Sequence, residues 1–394
     1  MNYCVVILDG AAGWPLLERG SKTSLELAHI PNLDRMAREG ILGLVTTVPD
    51  GMEPSSACAC MSIMGYDPRV YYRGRSAIEA VSMGIPLNEG EVAFRCNLVS
   101  VRDGTMWDYS AGHIGDNEAH LLIDAVEESL GTDAIQFYRG VGYRHICKIK
   151  GHTETLQAVC TPPHDIPNRP IEKYLPQGQG SDVLRDLMVR SMDVLNDHPV
   201  NKAREARGET PATMIWLFWG SGEIPELPTF KENYGLDAAM TSGVDLLRGL
   251  AKMASIANLD IPGVTDGPDN DYVAQVVGAM KSLQEHDLVF IHIESPDEAG
   301  HAGDIEAKLE AIEKSDKEVI GRLLSSGGDD IRILALPDHP TPIEVRTHTA
   351  EPIPFVLWGP GFQNTGAHAF SEAEAKRTGV FIEDGHTIMR RLIG

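Results

Sequence analysis

The stretch LVFIHIESPDEAGH, residues 288–301, decides how the rest of the chain is read. Its first six residues form a short apolar run, and continuous apolarity over that length suits a strand buried on both faces of a parallel sheet. Four further runs have the same character: CVVIL (4–8), TMIWLFW (213–219), IRILAL (331–336) and PFVLW (354–358). Helical patterns separate them. IPNLDRMAREG (30–40) carries Leu33 and Met36 at helical spacing before a glycine stop. SGVDLLRGLAKMASI (242–256) opens on a serine cap, and GDIEAKLEAIEKSDKEVIGRLLSSGG (303–328) is long, amphipathic and glycine-terminated. Alternation of strands and helices predicts an α/β domain with a doubly wound, mostly parallel sheet.

Three of these runs end in turns that carry acids or histidines. CVVIL leads into Asp9-Gly10, LVFIHI into the segment with Asp297 and His301, and IRILAL into Pro337-Asp338-His339. Ligands of open parallel sheets bind beyond the carboxyl ends of the strands, so the three ends predict one shared site. His348, in VRTHTAEPIPF (345–355), is placed to join them. Mixed oxygen and nitrogen donors suit Mn²⁺, Zn²⁺ or Fe²⁺ and not soft Cu(I). Asp297 and His301 lie four apart, so one helical turn sets both on one face.

The segment PDGMEPSSACACMSIMG (49–65) is a turn-rich lead into small residues that can start a helix. A serine there has free backbone N–H groups and the helix dipole beside it, which favour an alkoxide and a bound phosphate. A nearby divalent metal would activate it further as a nucleophile. Ser55 and Ser56 both qualify, as a nucleophile or as a helix cap. Cys58 and Cys60 point about 200° apart on a helix, which suits packing and not a thiolate clip.

The 394 residues predict two domains. From about residue 90 to 185 the chain mixes strand-like runs (EVAFRCNLVSV, YRHICKIKG, TLQAVC) with turn-rich joints such as TPPHDIPNRP. That pattern predicts an inserted α+β domain over 89–181, splitting a larger domain of 1–88 and 182–394, with GIPLNEGE (84–91) and LPQGQGSD (175–182) as linkers. With 34 basic and 57 acidic residues the formal charge is −23, which argues against nucleic-acid or anionic-membrane partners. The start, MNYCVVILDG, lacks a basic flank, and no apolar run approaches the roughly 18 residues of a membrane span. A cytoplasmic enzyme is expected, with its six cysteines as free thiols.

The ordered set ILDG, KTSLELAHIPNLDRMAREG, MGYDP, GRSAIEA, EVAFRCN, DYSAGHI, YRH, TPPHDIPNRPI, HPVNKAREARGE, IESPDEAGH and LPDHPTPIEVRTHTAEPIPF resembles the archaeal-type 2,3-bisphosphoglycerate-independent phosphoglycerate mutases. These are metalloenzymes of the alkaline phosphatase superfamily, and the likeness spans nearly the whole chain. It implies a glycolytic and gluconeogenic isomerase that interconverts 3- and 2-phosphoglycerate through a phosphoserine, with two divalent metals. Mn²⁺ is typical, with Zn²⁺, Mg²⁺ or Co²⁺ as alternatives. By the same likeness Asp297, His301 and His348 hold one metal, and Asp9, Asp338 and His339 hold the other together with Ser56. The family's serine precedes the glycine of GYDP by nine residues, which selects Ser56. The likeness further implies that the insertion grips the substrate, with Arg144, His145, His164, Asp165, Asn201, Arg204 and, more weakly, Arg75 and Arg248 as contacts. Oligomerisation is compatible with it. Where the family segment usually reads Gly-Ser-Asp, this chain has Ser55-Ser56-Ala57. That departure keeps open a related phosphotransferase, homoserine-kinase-like, or a phosphatase on another substrate. A metal-binding protein without catalysis is the third reading.

Overall fold

The computed structural model describes residues 1–223, 226–326 and 330–394. Two compact units emerge, one of Met1–Tyr72 with Pro225–Gly394 and one of Arg73–Ile224. In chain order the strands begin with β1 (Asn2–Leu8) and β2 (Ile41–Val45) in the first unit. The second unit holds β3 (Glu91–Arg102), β4 (Thr105–Asp108), β5 (Ile135–Val141), β6 (Arg144–Lys150) and β7 (Met214–Ser221). The first resumes with β8 (Ala238–Thr241), β9 (Ala257–Asn258), β10 (Leu288–Ile293), β11 (Ile331–Leu336), β12 (Ile353–Trp358) and β13 (Phe381–Ile382).

The first unit is α/β, built on an eight-stranded sheet of order β13-β2-β12-β11-β1-β10-β8-β9. β1 lies between β10 and β11 and runs parallel to both. The register sets Leu8 against Ile293 and Ile7 against Leu336, so three strands end nearly level. Apart from half-buried Arg332 the interiors of all three are buried, which accounts for their largely apolar character. PFVLW does form a strand, but β12 is antiparallel to both β11 and β2. Apolarity reports burial on two faces and leaves strand direction open.

The second unit is α+β, with every strand pairing antiparallel. TMIWLFW belongs here: β7 pairs with β3, not with the parallel sheet. Helices Arg75–Ser82 and Ser181–Leu195 both contact β7, so it too is apolar on two faces. TLQAVC is not a strand but a 3₁₀ turn over Thr153–Gln157 followed by a single bridge from Val159 to Gln177. The unit is wider than the expected 89–181, because the flanking helices and β7 complete its core. Both expected linkers therefore lie inside it. Its chain enters and leaves side by side: Gly74 has φ +109°, and a Cβ there would lie 2.4 Å from Ser221 Oγ.

IPNLDRMAREG forms the helix Pro31–Glu39, preceded by Ile30, which has no capping side chain. Its free amides are satisfied from a distance. Asp316 accepts from Leu33 N at 2.7 Å, from Asn32 N at 3.2 Å and from Asn32 Nδ2 at 2.9 Å. Asp316 sits in a π-helical stretch, Ser315–Ile320, between helices Ile305–Lys314 and Gly321–Ser326. The expected stop at Gly327-Gly328 falls outside the described residues. The helix within 242–256 runs over Asp245–Met253 with Val244 at its N-cap, so Ser242 does not cap it. Among the described residues no helix is long and apolar enough to cross a membrane.

Candidate active site

Beyond the level ends of β1, β10 and β11 the first unit gathers Asp9, Asp297, His301, Asp338 and His339, with His348 arriving ahead of β12. Asp9 follows β1 directly, and Gly10 (φ +60°) turns the chain at once. A Cβ on Gly10 would lie 2.4 Å from Asp297 Oδ1, so only glycine allows this approach. Asp297 and His301 share one face of the helix Ser295–Ala302, with His301 Nε2 at 3.1 Å from Asp297 Oδ2. His348 Nε2 is 3.5 Å from the same oxygen and 2.8 Å from His301 Nε2.

That last contact has a chemical consequence. His301 Nδ1 is 3.0 Å from the Arg346 carbonyl and His348 Nδ1 is 3.3 Å from that of Pro54. A carbonyl only accepts, so each Nδ1 carries the proton and each neutral ring turns a lone pair on the other. Two lone pairs and a carboxylate at this separation need a cation between them. Without a metal, a proton serves: the hydrogen bond to Asp297 raises the His301 pKa to about 9. Asp297 is pushed up by burial, but the imidazoles of His301 and His348, which donate to it when protonated, carry it well below the usual carboxylate range.

The second group repeats the pattern. Thr341 Oγ1 donates to Asp297 Oδ1 and lies 3.3 Å from His339 Nδ1, which must therefore donate to it. His339 Nε2 is left as a lone pair, 3.3 Å from Asp338 Oδ2, 3.6 Å from Asp9 Oδ1 and 3.2 Å from Ser56 Oγ. Asp338 Oδ1 is taken up by the amides of Gly10 and His339, at 3.0 and 2.8 Å. Asp9 Oδ1 is buried without a hydrogen-bond partner. Burial, then the charges of Asp338 and Asp297, raises the Asp9 pKa well above normal. Clustered carboxylates, an orphaned oxygen and inward-facing imidazole lone pairs fit a divalent metal at each group.

The serines separate cleanly. Ser55 is the N-cap of the helix Ser56–Ile63 and accepts from Cys58 N, while Ser56 starts the helix and faces His339. Ser55 is extended at φ −159°, so no glycine is needed there, and Ala57 is buried. Cys58 and Cys60 are buried free thiols, and Cys60 Sγ lies 3.7 Å from Asp338 Oδ2.

In the second unit, Arg75, Arg144 and His164 lie among aromatic rings. The Arg75 guanidinium sits 4.8 Å from the Trp219 ring centre and Arg144 sits 5.6 Å from that of Tyr143. His164 packs near Tyr109 and Trp219 at 6.2 and 5.6 Å between ring centres. Trp219, Ala111 and His113 all adopt positive φ, a strained backbone that concentrates at ligand sites. Arg95 is buried against Glu79 through two 2.8 Å hydrogen bonds. Asp165 is exposed beside His164. Other expected contacts are struts. Asn201 bonds the backbone of Leu195 and Ala212, and Arg204 is buried against Thr210 O, Ala111 O and Glu118. His145 is buried, accepts from Gly140 N and is held neutral by burial, at about 3. Arg248 lies in the first unit and pairs with Asp260.

Sequence reasoning missed His292, Glu294, Thr341 and Lys308. His292 Nε2 is 2.8 Å from Asp9 Oδ2, and Lys308 Nζ is buried on the carbonyls of Ala12 and Thr341 at 3.1 and 2.7 Å. Burial lowers the Lys308 pKa to about 8. The available signals were a histidine inside an apolar strand and a lysine on a helix's inner face.

The sequence profile of the 2,3-bisphosphoglycerate-independent phosphoglycerate mutases matches residues 37–201. A protein of that name from Methanothrix thermoacetophila is 47% identical over 396 residues, covering 100% of both chains. A probable mutase of the same name from Geobacter sulfurreducens is 44% identical, again over 100% of both. Among solved structures, the cofactor-independent phosphoglycerate mutase of Thermoplasma acidophilum superposes with TM-score 0.65 at 26% identity, covering 100% of this chain and 98% of that one. A Pyrococcus horikoshii protein gives TM-score 0.83 at 27% identity, covering 100% and 96%. Identity at this level over the full length is decisive: the chain belongs to the 2,3-bisphosphoglycerate-independent phosphoglycerate mutase family.

Proposed function

We propose that the chain interconverts 3-phosphoglycerate and 2-phosphoglycerate through a phosphoserine at Ser56, assisted by two divalent metals, Mn²⁺ foremost. The observation that carries this reading is the placement of Ser56 Oγ, 3.2 Å from His339 Nε2, at the first position of a helix. Relatives bearing the mutase name over the full chain support the substrate class. Asp297, His301 and His348 would hold one metal; Asp9, Asp338 and His339, with Ser56, the other. Divalent metals held there would lower the serine hydroxyl pKa and offset charge on the transferring oxygens.

In the first step Ser56 Oγ bonds to phosphorus as the bond from phosphorus to the glycerate 3-oxygen breaks. The proton lost by the hydroxyl balances the one gained by that oxygen. Free amides of the first helical turn add positive potential where the phosphate sits. In the second step the glycerate 2-oxygen bonds to phosphorus, the bond to Oγ breaks, and Oγ recovers a proton. Arg75, Arg144 and His164 supply the fixed cationic and polar groups suited to the glycerate carboxylate and phosphate.

An enolase-coupled assay of the Mn²⁺-loaded protein tests the reading. Conversion of 3- to 2-phosphoglycerate is expected, and its absence alongside hydrolysis of another phosphate ester, or phosphoryl transfer from a nucleoside triphosphate to homoserine, would refute it. Ser56→Ala should lose at least ~10³-fold in turnover together with all phosphoserine, while the Asp297, His301 and His348 group keeps its metal. A fully active Ser56→Ala variant would exclude this nucleophile.

A further inference from the structure

His292 is the one polar side chain inside β10, is buried, and engages both ring nitrogens. Its Nδ1 is 3.0 Å from Ser242 Oγ and its Nε2 is 2.8 Å from Asp9 Oδ2. We infer that His292 is a positioning residue for Asp9: the Ser242 hydroxyl holds it as the Nε2–H tautomer, and it pins Asp9 Oδ2 so that Oδ1 faces Asp338 and His339.

The hydrogen count decides the tautomer. Ser242 Oγ already accepts from Val244 N at 3.0 Å, so its own hydrogen needs an acceptor. Among the described residues, Nδ1 of His292 is the group in range. A neutral imidazole carries one N–H, which then lies on Nε2 and points at Asp9. The strand beneath is held as well. Gln275 Nε2 donates to the His292 carbonyl at 2.9 Å, and Asn270 Nδ2 donates to Gln275 Oε1 at 2.9 Å. With Oδ2 occupied, Asp9 Oδ1 remains buried and unpartnered, 3.6 Å from His339 Nε2, as does Glu294 Oε2 on the other side, 3.6 Å from His292 Nε2.

A different arrangement competes. Asp9, His292 and Glu294 lie close enough together to hold a cation of their own. That requires a lone pair on Nε2, hence an N–H on Nδ1 aimed at Ser242, and strands the serine hydrogen in a buried place. An unsatisfied buried donor is costly, so the donor role is favoured.

The inference rests on the two-metal reading only through Asp9 as a ligand, and two independent measurements separate them. Long-range ¹H–¹⁵N spectra of metal-free protein labelled with ¹⁵N-histidine, assigned by comparison with His292→Gln, should show the Nε2–H tautomer at His292. Mn²⁺ titration followed by electron paramagnetic resonance should show two equivalents, with His292→Phe weakening one of them about 10- to 100-fold. His292→Gln, which keeps a donor near the Nε2 position, should recover most of that loss. An Nδ1–H tautomer, a third Mn²⁺ equivalent lost in His292→Phe, or a lowered melting temperature with unchanged Mn²⁺ affinity would each overturn the inference. Absence of Mn²⁺ binding in the wild type would sink the two-metal reading, and the spectra would still decide the proton's position.

Discussion

The facing Nε2 atoms of His301 and His348 make the metal-free protein a proton-binding one. His301 has its folded pKa raised from 6.5 to about 9, chiefly by its hydrogen bond to Asp297. A pKa raised on folding stabilises fully below the unfolded value, and the benefit is lost as pH rises through the folded one. Melting of the chelated protein should therefore weaken between pH ~6.5 and ~9, and saturating Mn²⁺ should flatten that slope. Metal uptake below pH 9 should also release protons, which calorimetry in buffers of different ionisation heat would register. Gly10→Ala is expected to cost metal affinity at both groups, since the added carbon meets Asp297 Oδ1 at 2.4 Å and Thr341 Oγ1 at 2.6 Å. Retained two-equivalent binding in that variant would contradict the close approach. Ser55→Ala should cost about 1 kcal/mol through the lost cap and spare the chemistry of Ser56.

Among elements, the helix Pro31–Glu39 depends on a carboxylate nearly three hundred positions away in the chain, Asp316. Removing its carboxylate leaves the backbone amides of Asn32 and Leu33 without their acceptor, while Asn32 Nδ2 keeps only the Asp316 carbonyl at 3.2 Å. Asp316→Ala should lose about 2 kcal/mol in denaturant unfolding, with turnover per folded molecule unchanged. Nothing in the local sequence of either partner announces this cap, because it is a tertiary contact. Strands were easier to read than their pairing. LVFIHI and CVVIL entered the parallel sheet as expected, whereas TMIWLFW serves the other unit and PFVLW runs antiparallel. All four are apolar because both faces are covered, a property shared by parallel and antiparallel neighbours. The strand-end donors were readable because β1, β10 and β11 end in level register. His292 was hidden by the same run of apolar neighbours that made its strand obvious. In the second unit, family motifs could not separate contacts from struts. Arg204 and Arg144 are equally good guanidinium forks, and burial alone shows that Arg204 is committed to Thr210, Ala111 and Glu118.

At the scale of the whole molecule, every metal donor proposed lies in the first unit. Chelation should accordingly raise hydrogen exchange around Asp9, Ser56, Asp297–His301 and Asp338–His348, and leave the amides of β3 and β6 protected. Restored metal at about a hundredfold above its dissociation constant should return ~2.7 kcal/mol per site to that unit. Equal loosening of both units would count against this assignment of donors. The second unit is entered at Gly74, the N-cap of the helix Arg75–Ser82, and left at Ser221, the end of β7. Because Gly74 and Ser221 meet, the polypeptide between them behaves as a guest whose two ends share one doorway. A guest of that kind can be lengthened, shortened or exchanged without shifting any strand of the host sheet. Joining residue 73 to 222 by a short tether should accordingly leave the host sheet able to fold by itself, which circular dichroism and thermal melting of that shortened chain would check.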